Sequence, residues 1–185
     1  VIPYVIAIVV ASTAMFFRII IEVAVLNIGI LKMLLIPMIS MGVIGAFFSF
    51  YFFFRKGKNK VPSKDNLGLK NPFRLWPAIK FGTFFAVILL LVGGAKDLFG
   101  NTGIYVTSMV SGFLDVDAIT VSLSNLAKTS ISSSTAVKGI TLAAMTNTAV
   151  KGLIFYVLGH RKVANKILIV FSLMILAGAL SLFLV

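Results

Sequence analysis

The sequence predicts an all-α protein, a polytopic transmembrane helix bundle with five full spans and one broken or re-entrant element. The chain has 185 residues, of which 59% are hydrophobic and 12% are charged. A soluble domain carries about 25% charged residues, so this chain has too little polar surface to cover a water-soluble globule. The apolar residues are also grouped in stretches as long as a membrane is thick.

Five stretches have the length and apolar character of full spans. A helix rises about 1.5 Å per residue and therefore needs about 20 apolar residues to cross a bilayer. The five stretches are 3–26, 31–54, 76–95, 136–158 and 164–185.

A sixth stretch, 102–127, is long enough to cross but is interrupted by Gly112, Asp115 and Asp117. If it crossed, the basic turn at 160–166 would lie opposite the basic loop at 55–80, against the positive-inside rule. If it entered and left on one face, both basic segments would share a side. We therefore favour a broken or re-entrant element.

These stretches organise residues 1–185 as a single transmembrane domain. A first helix pair covers 1–54, and a basic interfacial linker covers 55–75. A span and the broken, aspartate-containing element fill 76–135, and a last helix pair covers 136–185.

Basic residues are concentrated directly after an apolar stretch. The net charge is +12, and eight of the 17 bases lie between Arg55 and Lys80, opposed there only by Asp65. This placement is typical of a cytoplasmic loop, so we expect a multi-pass protein of the plasma membrane with loop 55–80 in the cytoplasm. The same placement argues against a nucleic-acid partner.

The composition also limits the chemistry. There is no cysteine, and His160 is the one histidine, which leaves thiolate sites and most metalloenzyme ligand sets incomplete. No nucleophile–base pair lies within the spans. We therefore expect a protein that is not an enzyme.

The first and last helix pairs form a possible inverted repeat when they are aligned with a shift of 133 residues. Arg18 then falls on Lys151, so two bases occupy equivalent places within apolar spans. Glycines and methionines also coincide. Inverted repeats are common in transporters, which place a binding site near the middle of the bilayer.

Three of the five acids lie within apolar stretches, where an ionised carboxylate costs about 3 kcal/mol. Glu22 is one of them, and it is one helical turn from Arg18, so the two can pair. They would form either a structural polar seam or part of a pathway. The other two are Asp115 and Asp117.

The spacing of Asp115 and Asp117 predicts a break in the helix. Residues two apart point about 200° away from each other on an ideal helix, so an intact helix could not aim both carboxylates at one ion. A break would bring them together as metal ligands with Ser111 and would free backbone carbonyls. Alternatively, both aspartates cap the two half-helices or pair with Lys151. One face of the intact helix would hold Asp117, Thr120, Ser124 and Lys128.

Asn147 and Lys151 lie one turn apart on the fourth of the five full spans, 136–158. Both need polar partners in the membrane, and we expect them to join the ion-binding or pathway residues Ser111, Asp115 and Asp117. If all of these groups are ionised, the two bases Arg18 and Lys151 and the three carboxylates together leave one negative charge. A bound cation, a proton or a base from another segment could neutralise that charge.

Several motifs resemble one family when they are read in order. They include Asn71-Pro72-Phe73, Ser111-Gly112 with Asp115 and Asp117, Asn147 with Lys151-Gly152, and the opening pair Arg18 and Glu22. This order and spacing resembles the carboxyl-terminal membrane domain of unknown function (DUF4010-type) of MgtC/SapB-type proteins. The resemblance implies a link to magnesium homeostasis, and it implies an amino-terminal MgtC/SapB-type domain that precedes this segment.

Together these observations predict an ion transporter or channel for a cation such as magnesium, with a site at the broken helix. The alternative is a non-transporting membrane module that senses or regulates a partner. We expect the lipid bilayer and an inorganic cation as partners, and no cofactor other than such a cation. Gly42, Gly45 and Ala46 offer a close-packing face that favours a homodimer.

Overall fold

The computed structural model describes residues 2–55 and 75–185, and these residues are helical throughout apart from short connections. Most of the interfacial linker expected at 55–75 lies outside the described residues. The helices are α1 (Ile2–Leu26), α2 (Ile28–Phe54), α3 (Leu75–Leu114), α4 (Asp117–Leu126), α5 (Ser133–Leu158) and α6 (Arg161–Ser181), followed by a 3₁₀ turn at Leu182–Leu184.

Within residues 2–55 and 75–185, four helical segments are long and apolar enough to cross a membrane. They are Ile2–Leu26, Ile28–Phe54, Ser133–Leu158 and Arg161–Leu184. Their outer faces carry large apolar side chains such as Val25, Phe54 and Leu158, each 81% exposed, as expected of surfaces that meet lipid. The prediction of a helical membrane protein is confirmed at this level, whereas the count of five full spans stays a prediction.

The first and last helix pairs turn in the same way. Asn27 ends α1 and caps α2, because its side chain accepts a hydrogen bond from the Gly29 N–H at 3.0 Å. His160 occupies the corresponding place before α6, where its Nδ1 accepts from the Lys162 N–H at 3.3 Å. A side-chain acceptor at this position satisfies an N–H that the helix itself leaves free.

Glycines let α2 and α6 pack closely in the core. A Cβ atom on Gly45 would overlap Thr13 of α1 and Met174 of α6, and one on Gly178 would lie 2.8 Å from Met41 Sδ of α2. Because Met41 pairs with Gly178 while Gly45 pairs with Met174, α2 and α6 run antiparallel. The Gly42 and Gly45 face expected to favour a homodimer is buried within the chain.

Contacts at the helix ends define two ends of the bundle. The Lys166 ammonium near the start of α6 lies 5.9 Å from the ring centre of Phe52, near the end of α2. At the opposite end, Ser134 Oγ donates to the Val185 carbonyl at 3.0 Å. Arg55 and the turn around His160 therefore share one end, which we call the basic end.

α3 changes direction at Gly100 and ends in a second reversal. Gly100 has φ 58°, in the left-handed region that glycine adopts without strain. At Asp115 and Val116 the helix is interrupted, and α4 then returns beside the end of α3. The end of α3 and α4 both pack against α5 at Gly139. An added Cβ there would lie 2.9 Å from Ser108 Oγ of α3 and 2.6 Å from Leu123 Cδ1 of α4. The predicted break is confirmed at these residues.

The tight contact at Gly45 predicts a loss of stability on substitution. Gly45→Ala should lower the free energy of unfolding by about 1–3 kcal/mol, because the new methyl group overlaps Thr13 and Met174. Thermal unfolding of the purified protein in detergent measures this.

Gly94→Ala is the matched control, because an added Cβ there meets nothing within 4 Å. It should not destabilise the protein. Equal loss of stability in both variants would contradict the packing explanation.

Candidate functional site

The break between α3 and α4 places two carboxylates where two short helical arms meet. α4 has ten residues and is therefore about 15 Å long, about half the thickness of the apolar core of a membrane. Its first residue is Asp117, and Asp115 lies in the connection. The negative charge of Asp117 is favourably placed in the first turn of a helix.

Asp115 and Ser111 stabilise the break itself. Asp115 Oδ1 accepts a hydrogen bond from the Val116 N–H at 2.9 Å, and Ser111 Oγ donates to the Asp115 carbonyl at 3.1 Å. These bonds satisfy backbone groups that the interrupted helix leaves without partners. The bond to Val116 lies within the connection, and the N-cap residue of α4, Val116, makes no side-chain capping bond.

Arg18 of α1 connects the carboxylates of two helices. Its Nη2 donates to Asp117 Oδ1, and its Nε lies 3.6 Å from Glu22 Oε1. The side chain of Arg18 is 54% exposed, against 23% for each carboxylate partner. The sequence predicted that Arg18 and Glu22 form a polar seam separate from the two aspartates. In the structure Arg18 contacts Asp117, so this seam lies beside the break.

Asn147 of α5 holds the end of α3 in place. Its Nδ2 donates to the Gly112 carbonyl at 3.0 Å, one of the last carbonyls of α3. Gly112 makes this approach possible, since an added Cβ there would lie 3.0 Å from Ala143 Cα on α5. Asn147 thus supports the site through the backbone.

Lys151 lies on the same face of α5, one turn further on. Its Nζ is 3.4 Å from Met15 Sδ, and no carboxylate of the described residues lies within ion-pair distance of it. The ammonium reaches a groove of about 340 Å³ between α1 and α5. Ala7, Ile8, Ala11, Ser12, Lys151 and Phe155 line this groove.

Two further contacts at this site were missed by the sequence reasoning. Asn27 Nδ2 donates to the Ser124 carbonyl at 2.9 Å, which ties the end of α1 to α4. Met15 supplies the sulfur beside Lys151. An apolar residue such as Met15 gave no signal in the sequence, whereas Asn27 could have been suspected from its position between two apolar stretches.

Arg18, Glu22 and Asp117 form one connected group of charges where α1 meets α4. Within the described ranges, no three side chains among His, Cys, Asp and Glu come together as a metal site. A cation at Asp115 and Asp117 would therefore need backbone carbonyls or hydroxyls as its other ligands. Hard cations accept such oxygen ligands.

The chain belongs to the family named domain of unknown function (DUF4010), whose model matches residues 2–159. It is also similar to an uncharacterized protein of Aquifex aeolicus (strain VF5). The two are 31% identical over 157 residues, which cover 84% of this chain and 68% of that protein. No solved structure matches the chain.

The Arg18–Asp117 ion pair predicts energetic coupling between α1 and α4. In a double-mutant cycle of Arg18→Gln and Asp117→Asn, the two changes should be non-additive by about 0.5–3 kcal/mol, because each single change already removes the ion pair between these two side chains. Chemical or thermal unfolding of the four proteins measures this coupling.

The control is a second cycle that combines Arg18→Gln with Asp97→Asn. Asp97 is exposed and makes no ion pair with Arg18. The effects should be additive there. Additive effects in the Asp117 cycle would mean that the pair contributes nothing to stability.

Proposed function

We propose that this protein is a non-enzymatic membrane transporter or channel for a cation, with its pathway at the break between α3 and α4. The observation that carries the proposal is the ion pairing of Arg18 on α1 with Glu22 and with Asp117, which lies two residues after Asp115 at the break. Charged groups are costly in a membrane interior and usually mark an ion pathway.

The reversal at Asp115 supports a re-entrant element within the membrane. Irregular backbone at membrane depth is tolerated where protein surrounds it or where it lines a polar cavity. The Asn147 bond to the Gly112 carbonyl satisfies part of this backbone. Such discontinuous helices form the ion sites of many transporters.

We also propose that the first and last helix pairs are an inverted repeat. Two observations support this. The shift of 133 residues that aligns Arg18 with Lys151 also aligns the capping residues Asn27 and His160. In addition, the close contacts of α2 with α6 are reciprocal under the same shift, and the two helices run in opposite directions.

The basic end is proposed to face the cytoplasm of a cell bounded by the plasma membrane. Arg55 donates to the Tyr51 hydroxyl at 2.7 Å, and Arg161 lies 5.8 Å from the Tyr156 ring centre. Aromatic and basic residues together are typical of a membrane interface, and an excess of bases marks the cytoplasmic side. With both basic segments at one end, a re-entrant 102–127 element satisfies this rule.

Magnesium is one cation to test, because the sequence resembles MgtC/SapB-type proteins. Asp115 and Asp117 would supply two of its oxygen ligands, and Ser111 and nearby carbonyls could contribute others. An amino-terminal MgtC/SapB-type domain and a second copy of the chain remain proposed partners.

A second candidate function is a non-transporting module that senses or regulates a partner. It is favoured by the bonding of the carboxylates, since Asp117 is paired with Arg18 and Asp115 Oδ1 accepts from Val116. A closed polar network of this kind can stabilise a fold without conducting ions.

Ion flux into sealed proteoliposomes distinguishes the two functions. The purified chain should conduct at least one of Mg²⁺, K⁺ and H⁺, tested separately. The double change Asp115→Asn plus Asp117→Asn should reduce this flux by about tenfold or more, because the pathway loses both carboxylates.

Asp97→Asn provides the control, because it removes an exposed carboxylate away from the break and should leave flux unchanged. Circular dichroism and gel filtration confirm that each protein is folded. Folded protein without flux for any of the three ions would favour the regulatory module instead.

A further inference from the structure

The interface between α1 and α4 has a register that two polar contacts define. Arg18 pairs with Asp117, and nine residues later Asn27 Nδ2 donates to the Ser124 carbonyl, seven residues after Asp117. The two helices therefore run parallel here, over about 10–14 Å. Glu22 on α1 and Thr120 on α4 lie between these two contacts.

The polar groups between the two contacts are turned toward one another by helical periodicity. Asp117, Thr120 and Ser124 follow the i, i+3, i+7 spacing of one helix face. Glu22 lies one turn after Arg18 and shares its face. Glu22 Oε1 lies 3.6 Å from Arg18 Nε, whereas its second oxygen, Oε2, is buried and makes no hydrogen bond.

Three buried oxygens at this interface have no hydrogen-bond partner. They are Glu22 Oε2, Thr120 Oγ1 and Ser124 Oγ, and they are the full set of such side-chain atoms within the described residues. Thr120 and Ser124 are 0% exposed. Leaving a buried polar atom without a partner costs about 1–3 kcal/mol, so three at one interface require an explanation.

Other buried hydroxyls in the bundle do find partners. Ser122, also on α4, donates to the Ala118 carbonyl at 2.7 Å. Several others donate in the same way to the carbonyl four residues earlier: Thr13, Thr107, Ser108, Thr141 and Thr148. Among the buried hydroxyls of α4, Thr120 and Ser124 thus differ from Ser122 in having no partner.

We propose that Glu22, Thr120 and Ser124 form a binding site for one monovalent alkali cation, of which Na⁺ is the probe. The donor set consists of a carboxylate oxygen and two hydroxyl oxygens, which suits a hard cation and would satisfy all three atoms. This site is separate from the aspartate pair, and it concerns binding whether or not an ion is transported.

The charges around the site favour a monovalent cation over a divalent one. When all five groups are ionised, Arg18 and Lys151 contribute two positive charges and Glu22, Asp115 and Asp117 contribute three negative charges, which gives a net charge of −1. One Na⁺ neutralises this group, whereas Mg²⁺ would leave it positive. Mg²⁺ also requires octahedral coordination and keeps several waters.

Equilibrium binding of radioactive Na⁺ to the purified chain in detergent tests the proposal. Choline chloride replaces NaCl to hold ionic strength constant. The unmodified chain should bind one Na⁺, and both Glu22→Gln and the double change Thr120→Val plus Ser124→Ala should weaken binding by about tenfold or more.

Ser122→Ala is the matched control, because it removes a buried hydroxyl from the same helix that already has a partner. It should bind Na⁺ as the unmodified chain does. Equal weakening in this control would overturn the assignment of the site, and so would unchanged binding in the double variant.

Thermal unfolding supplies a second readout that does not depend on the radioligand. In choline, Thr120→Val plus Ser124→Ala should be at least as stable as the unmodified chain, because it removes two unpaired hydroxyls. In Na⁺, the unmodified chain should gain stability through binding and the double variant should not. A folded, unmodified chain that neither binds Na⁺ nor gains stability from it would overturn the proposal.

Discussion

The structure depends on the cost of placing charged groups among apolar helices. Arg18 meets this constraint by contacting both Glu22 on its own helix and Asp117 on α4. The contact fixes where α4 begins relative to α1, and the Asn27 bond to Ser124 fixes where it ends. The short α4 helix is thus positioned by polar contacts near both ends, in addition to the packing of its buried Ile119 and Leu123.

The break in the α3–α4 element is possible because its backbone groups find partners nearby. Ser111 and Asp115 satisfy groups within the break, and Asn147 binds the Gly112 carbonyl from α5. Gly112 and Gly139 supply the space, since a side chain at either would collide with the neighbouring helix. Close packing at small residues and hydrogen bonds between helices therefore stabilise the break together.

Much of the candidate site could be predicted from residue type and position. Three acids, Glu22, Asp115 and Asp117, lie within apolar stretches. Burying a carboxylate in a membrane costs free energy, so such residues indicate a functional or pairing role. The spacing of Asp115 and Asp117 also indicated a break. The partner of Asp117 could not be predicted, because Arg18 and Lys151 are both bases at comparable places and only packing decides which one approaches.

The sequence by itself determined the helical membrane class, the positions of the four long apolar helices and the place of the break. These follow from local properties, namely hydropathy over about 20 residues and the angular spacing of side chains on a helix. Only the tertiary structure decided that Arg18 and Asp117 form a pair, that Lys151 lies beside Met15, and that Glu22, Thr120 and Ser124 each keep a buried oxygen without a hydrogen-bond partner. Those contacts join residues up to 136 positions apart, and their formation depends on helix direction and register, which no local pattern encodes.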